Sequence, residues 1–144
     1  MLTEDQKERY CRHLLLEGFD QDRISGARVL VIGAGGLGSP VCLYLAAAGV
    51  GTLGIADGDV VSLSNLQRQL LHATPDLGRQ KTDSAAEKIA ALNPSVKIVC
   101  IPEFVTDESA DALIADYDFD TIGRLTCSFG ITQVSKEECV SDVF

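Results

Sequence analysis

The stretch Val29-Leu30-Val31-Ile32-Gly33-Ala34-Gly35-Gly36-Leu37-Gly38 decides the fold: an apolar run, a glycine-rich turn, then a helical pattern from about Ser39-Pro40. Strand, tight turn and helix in that order form the context that a nucleotide-phosphate site needs. Gly33 permits the sharp turn, Gly35 lets backbone approach a phosphate, and Gly38 lets the helix pack closely; Gly36 completes the turn. The helix start adds unpaired N–H groups and a partial positive charge. An acid for the ribose is expected about 20 residues later. Asp57 stands 19 residues past Gly38, at the end of a second strand pattern, Thr52-Leu53-Gly54-Ile55-Ala56.

Working outward, Thr3-Glu4-Asp5-Gln6 reads as a capping box for a first helix carrying Tyr10, His13, Leu14 and Leu16, with Gly18 as its stop. A short connector with Ile24 and Gly26 then leads to the first strand. The helix after the glycine turn closes at Gly49. Residues 57–79 are polar and long for a bare loop, so short helical turns and a functional role are expected. A helix over 80–92 ends at Asn93-Pro94, Val96–Ile101 is a third strand, 107–116 a helix, and Tyr117-Asp118-Phe119 begins a fourth strand. Strands alternating with helices predict an α/β fold with a Rossmann-like, doubly wound, mainly parallel sheet. The expected organisation is an N-terminal helical segment (1–26), a nucleotide-binding α/β domain (27–119) and an atypical tail (120–144), leaving the sheet incomplete at the C-terminus.

The chain's 144 residues suffice for one core, and 46% hydrophobic with 23% charged residues is a soluble composition. A net charge of −9 argues against nucleic acid or an anionic membrane as partner. No apolar run reaches membrane-span length, and the charged N-terminus is unlike a signal peptide. Five cysteines without a CxxC pair argue against a disulfide framework or a zinc site, so a cytoplasmic protein with reduced thiols is expected.

Asp57 and Asp59 flank Gly58 where the carboxyl ends of strands form the ligand crevice. Asp57 is the expected ribose ligand and Asp59 a second polar candidate. Arg68, within Ser64-Asn65-Leu66-Gln67-Arg68-Gln69, is a planar cation suited to phosphate oxygens, although alone it reads as a surface arginine. Lys81 lies in the first turn of its helix, where the dipole disfavours a cation. It continues the stripe Ala85, Ile89, Leu92 and is expected to point inward, toward phosphate; a lysine snorkelling off the core edge is the alternative. Arg9 and Arg12 pair by spacing with Asp5 and Glu8. His13 and His72 have no metal-ligand spacing and read as structural, and no metal ligands are singled out.

Together Arg9-Tyr10-Cys11-Arg12-His13, the glycine turn, Ala48-Gly49-Val50-Gly51, Asp57-Gly58-Asp59, Ser64–Gln69, Gly78, Lys81 and Leu92-Asn93-Pro94 resemble the MoeB/ThiF/HesA family, bacterial relatives of the ubiquitin-activating enzymes. The resemblance spans about residues 5–119. It implies ATP- and Mg²⁺-dependent adenylation of the C-terminal carboxylate of a ubiquitin-like sulfur-carrier protein, commonly ending in Gly-Gly, in molybdopterin or thiamine biosynthesis. It also implies a homodimer. By the same resemblance Asp57 holds the ribose, Asp59 and Asn65 belong to the nucleotide site, Arg68, Gln69 and Lys81 surround the triphosphate, and Arg12 acts across the dimer interface, with Arg12, Arg68 and Lys81 as the catalytic cations.

The pattern departs after residue 119. The family places a Thr-Asp-Asn-type segment there, whose aspartate holds Mg²⁺, but Asp120-Thr121-Ile122-Gly123-Arg124 does not align with it. A truncated or frameshifted tail is the expectation. Two alternatives remain: a catalytically inactive nucleotide-binding or dimerisation module, and an NAD-dependent oxidoreductase.

Overall fold

The computed structural model describes residues 2–115. Three short helices, α1 (Glu4–Arg9), α2 (Cys11–Leu14) and α3 (Gln21–Gly26), precede β1 (Arg28–Ile32). The chain continues through α4 (Gly38–Ala48), β2 (Thr52–Ala56), α5 (Lys81–Leu92), β3 (Lys97–Ile101) and α6 (Asp107–Ala115). Single 3₁₀ turns at Leu63–Asn65 and Thr74–Asp76 give the long polar stretch the local structure its length predicts.

The strands form one parallel sheet in the order β1-β2-β3, with Val31, Ile55 and Cys100 in register. Every residue of β2 is buried, as befits the central strand. Both crossover helices pack against each other and on the sheet, α4 touching β1 and β2 and α5 touching β3. Val31, Leu53, Ile55, Cys42, Ala46, Ala85 and Ile89 form the core between these layers. The described residues thus make up one βαβαβ half of a Rossmann-like sheet. The expected fourth strand, Tyr117–Phe119, and the tail 120–144 lie outside them.

Two expectations about the N-terminal segment are corrected. The first helix is broken at Tyr10, between Glu8 and Arg12, and the Asp5–Arg9 pair does not form either: Arg9 donates instead to the Leu92 carbonyl at 2.9 Å. The segment 21–26 is helix α3 rather than a connector; the Asp20 carboxylate caps it by accepting from the Arg23 N–H.

Tyr10 causes the break. Its side chain is 1% exposed, and its hydroxyl accepts from Asn93 Nδ2 at 2.8 Å. Asn93 also donates to the Ala46 carbonyl, tying the ends of α4 and α5 together. Gly49 ends α4 at φ +83°, and a Cβ there would run into the Tyr10 ring and hydroxyl. Nearby, Gln21 accepts from His13 Nδ1 through Oε1 at 2.9 Å and donates through Nε2 to the Ala48 carbonyl. The N-terminal helices are therefore fastened to the C-terminal end of α4.

Candidate functional site

The glycine turn closes on itself at the carboxyl end of β1. Gly33 has φ +90° and donates to the Ala56 carbonyl, so the turn starts where β1 and β2 end. A Cβ on Gly38 would collide with the Gly33 carbonyl oxygen, which makes this closure possible only for glycine.

Ala34, fully buried, is held at both of its polar atoms. Its N–H donates to Asp57 Oδ2 at 2.7 Å. Its carbonyl accepts from Ser39 Oγ at 3.2 Å and from His72 Nε2 at 3.0 Å. The N–H groups of Gly35, Gly36, Leu37 and Gly38, by contrast, donate to no other described residue. Four successive unpaired N–H groups at a helix start form an anion cradle.

The sequence-predicted residues gather around this turn. Asp57 is buried, and its carboxylate binds Ala34 N–H through one oxygen and Asp59 N–H through the other, at 2.8 Å. Each oxygen keeps a further lone pair. Lys81 is buried as its helical stripe predicts, and its ammonium reaches Asp59 Oδ2 at 2.8 Å and Asp57 Oδ2 at 3.9 Å. The ammonium thus ends on two carboxylates, one of them half exposed at the rim of the crevice. The stripe needs one correction: Leu92 is 39% exposed, so it stops at Ile89. Asp59, for its part, binds Lys81 through both its side chain and its carbonyl.

Gln69 and Arg68 lie over the turn. A Cβ on Gly35 would sit 3.7 Å from Gln69 Nε2, and one on Gly36 would sit 3.5 Å from Arg68 Cδ. Gln69 is 4% exposed, yet its Oε1 has no hydrogen-bond partner. Among the described residues, the exposed Arg68 guanidinium makes only a 3.2 Å bond to the Ser64 carbonyl. Asn65 has a different job: its Oδ1 accepts from Ser62 N–H and its carbonyl from Arg68 and Gln69 N–H, shaping the loop that carries them.

Arg12 is not part of this group. It lies on α2, beside the C-terminal end of α4, whereas the glycine turn opens the other end of that helix, about 15 Å away at 1.5 Å per residue. Its guanidinium makes no hydrogen bond or ion pair to another described residue.

His72 is the participant that sequence reasoning missed. It is 5% exposed and bridges the Ala34 carbonyl to Ser84 Oγ on α5, at 2.9 Å. Burial pushes its imidazole below the ordinary 6.5, against the Ala34 hydrogen bond, with Lys81 acting in the same direction as burial. A lone histidine gives no spacing signal, and only the fold brings residues 34, 72 and 84 together.

No group of three or more His, Cys, Asp or Glu able to hold a metal ion occurs among the described residues. Nor is any helix among them long and apolar enough to cross a membrane.

Comparison with known proteins identifies the family and the fold. A model of the ThiF family matches residues 10–142, reaching beyond the stretch that the motifs cover. The probable adenylyltransferase/sulfurtransferase MoeZ of Mycobacterium tuberculosis is 50% identical over 81% of the chain, which spans 31% of that protein. The molybdopterin-synthase adenylyltransferase of Escherichia coli is 42% identical over 81% of the chain, here 48% of the relative. The crystal structure of E. coli tRNA N6-threonylcarbamoyladenosine dehydratase, TcdA, in complex with ATP superposes with a TM-score of 0.76 at 26% identity. It covers 80% of this chain and 48% of that one.

Proposed function

The chain belongs to the ThiF family, and from that premise we propose that it binds ATP at the glycine turn as the nucleotide-holding part of an adenylyltransferase. The proposed acceptor is the C-terminal carboxylate of a ubiquitin-like sulfur-carrier protein with a Gly-Gly tail. Adenylyltransferases among its relatives support the reaction class, and the ATP complex of TcdA supports the nucleotide. The observation that carries the reading is the row of unpaired N–H groups from Gly35 to Gly38, overlain by the Arg68 side chain and by the Nε2 amide of buried Gln69.

The residues fit ATP. Gly35, Gly36 and Gly38 N–H groups hold phosphate oxygens, with Gly33 shaping the turn that presents them. Asp57 accepts ribose hydroxyls with the lone pairs its backbone bonds leave free. Arg68 and Lys81 offset phosphate charge, while Gln69 and Asn65 supply and position polar contacts beside them. Bound ATP would supply an electrophilic α-phosphorus and a leaving pyrophosphate; the described residues include no cluster of carboxylates for the Mg²⁺ that would accompany it. Arg12, remote from the turn in its own chain, is assigned to the site of a second copy in a cytoplasmic homodimer.

Thermal unfolding tests the nucleotide, and isotope exchange tests the chemistry. ATP raises the Tm and NAD at equal concentration shifts it much less; equal protection by NAD would favour the oxidoreductase instead. ATP–pyrophosphate exchange dependent on a Gly-Gly-tailed carrier identifies an active enzyme, whereas ATP protection without exchange identifies a binding module.

A further inference from the structure

We propose that His72 is a positioning residue for the nucleotide turn: its Nε2–H fixes the Ala34 carbonyl and thereby aims the Gly35 N–H outward at the phosphate. The inference rests on reading that turn as a phosphate cradle, and it adds the group that orients it.

A carbonyl only accepts, so the 3.0 Å contact between His72 Nε2 and the Ala34 oxygen requires the proton on Nε2. In a neutral imidazole Nδ1 is then an acceptor, and Ser84 Oγ stands 2.9 Å from it to donate. The Ala34 carbonyl thereby selects the tautomer, and the Ser84 hydroxyl, able to donate or accept, turns to match it. The Ala34 carbonyl and Gly35 N–H belong to one peptide plane, and the described chain contains no cis peptide. In a trans peptide these two groups point in opposite directions. Drawing the carbonyl inward therefore directs the N–H away from the core. Ser39 Oγ binds the same oxygen from α4, so the peptide is held from two elements.

The neutral state is maintained by its surroundings. Lys81 from α5 faces His72 and opposes a second positive charge, while Asp76 from the turn at Thr74–Asp76 and Asp57 from the end of β2 favour one. Burial outweighs the two carboxylates, leaving the imidazole below its ordinary range. The Nε2–H donor is thus present at neutral pH without a charge competing with Lys81.

Three measurements on the 144-residue chain test this. Nitrogen-15 NMR of the wild-type imidazole should show the neutral Nε2–H tautomer at pH 7.5; an Nδ1–H tautomer would overturn the proposal regardless of nucleotide. Amide hydrogen exchange without nucleotide should be faster in His72→Phe at residues 33–38, with β2 protection retained. ATP binding should weaken by up to about tenfold in His72→Phe, as expected for one lost hydrogen bond. His72→Gln, which retains a side-chain N–H donor, should recover most of that loss. If His72→Phe fails to fold, comparison of His72→Gln with His72→Leu takes its place. Unchanged turn exchange and ATP affinity in the donor-less variant would refute the role of His72. Turn exchange that changes as expected in a protein that does not bind ATP would uphold the orientation of the peptide and refute the phosphate reading alone.

Discussion

The Lys81 ammonium lies 2.8 Å from Asp59 Oδ2, so the cation that begins α5 is held by the acid that follows β2. Lys81 is buried and Asp59 half exposed, which places the pair at the edge of the crevice. A triphosphate entering that crevice competes with Asp59 for the same ammonium. The pair is thus a relationship the nucleotide has to rearrange.

Lys81→Met retains the apolar stem and removes the charge. ATP binding should weaken by about 1.5–3 kcal/mol, the range for a charge-assisted contact, while AMP binding changes little. Isothermal titration with both nucleotides checks this, and equal losses would remove Lys81 from the triphosphate. Asp59→Asn should act in the opposite direction. Relieved of its competitor, Lys81 binds ATP more tightly by about 1 kcal/mol or less, the scale of a partly exposed ion pair.

Tyr10→Phe should destabilise the fold by about 1–3 kcal/mol, because one Asn93 N–H loses its acceptor inside the core. Urea unfolding measures the change. ATP affinity should be unaffected, since Tyr10 works at the far end of α4. A matching loss of ATP affinity would show that the N-terminal helices contribute to the site within their own chain.

Gly38→Ala and Gly49→Ala separate backbone from side-chain crowding. At Gly38 the added methyl meets the Gly33 carbonyl, and the turn has to open. At Gly49 it meets the Tyr10 side chain in a left-handed conformation, costing about 1 kcal/mol or more. Gly49→Ala should therefore lower Tm with ATP binding retained in the folded protein, while Gly38→Ala loses ATP binding. Retained ATP affinity in Gly38→Ala would place the phosphates elsewhere.

Acid should remove stability in two windows. The folded pKa of His72 is lowered, so the unfolded chain binds the extra proton. The contribution is intact above the ordinary 6.5 and is lost as pH falls from there to the folded value. Asp76 is buried, and burial raises its pKa, but the Ala73 N–H and the Lys88 ammonium hold it below 3.8. Its contribution is present above that ordinary value and is lost as pH falls through the lower folded one. Unfolding free energies against pH should show both slopes, with only the upper one absent in His72→Gln.

The parts legible in the sequence are those where a local pattern has one structural solution. Gly33 through Gly38, the five residues of β2 and the inward face of Lys81 all follow from turn chemistry or period. The break at Tyr10 was not legible, because it depends on a pocket formed by Gly49 and Asn93, far away in the chain. Helix α3 escaped notice because Gln21–Gly26 has no apolar period, and its Asp20 cap is a single residue. Asp57 was recognised as an acid of the crevice, but its bond to Ala34 N–H required the fold. Asn65 was read as a ligand, yet its local bonds also make it the brace of the Arg68 loop.

The strand order β1-β2-β3 follows the order of synthesis. Among the described strands, β2 and β3 each leave the ribosome with a neighbour already made, and each crossover closes on the strand just before it. The glycine turn comes early, between β1 and α4, but Asp57, Gln69, His72 and Lys81 arrive one after another behind it. Folding along the chain would therefore complete the cradle before β3 has emerged. A stalled nascent chain with α5 just clear of the ribosome would present the whole set of turn contacts on an unfinished sheet. Parallel pairings close slowly because they join distant segments; here vectorial emergence limits the number of wrong partners available at each step.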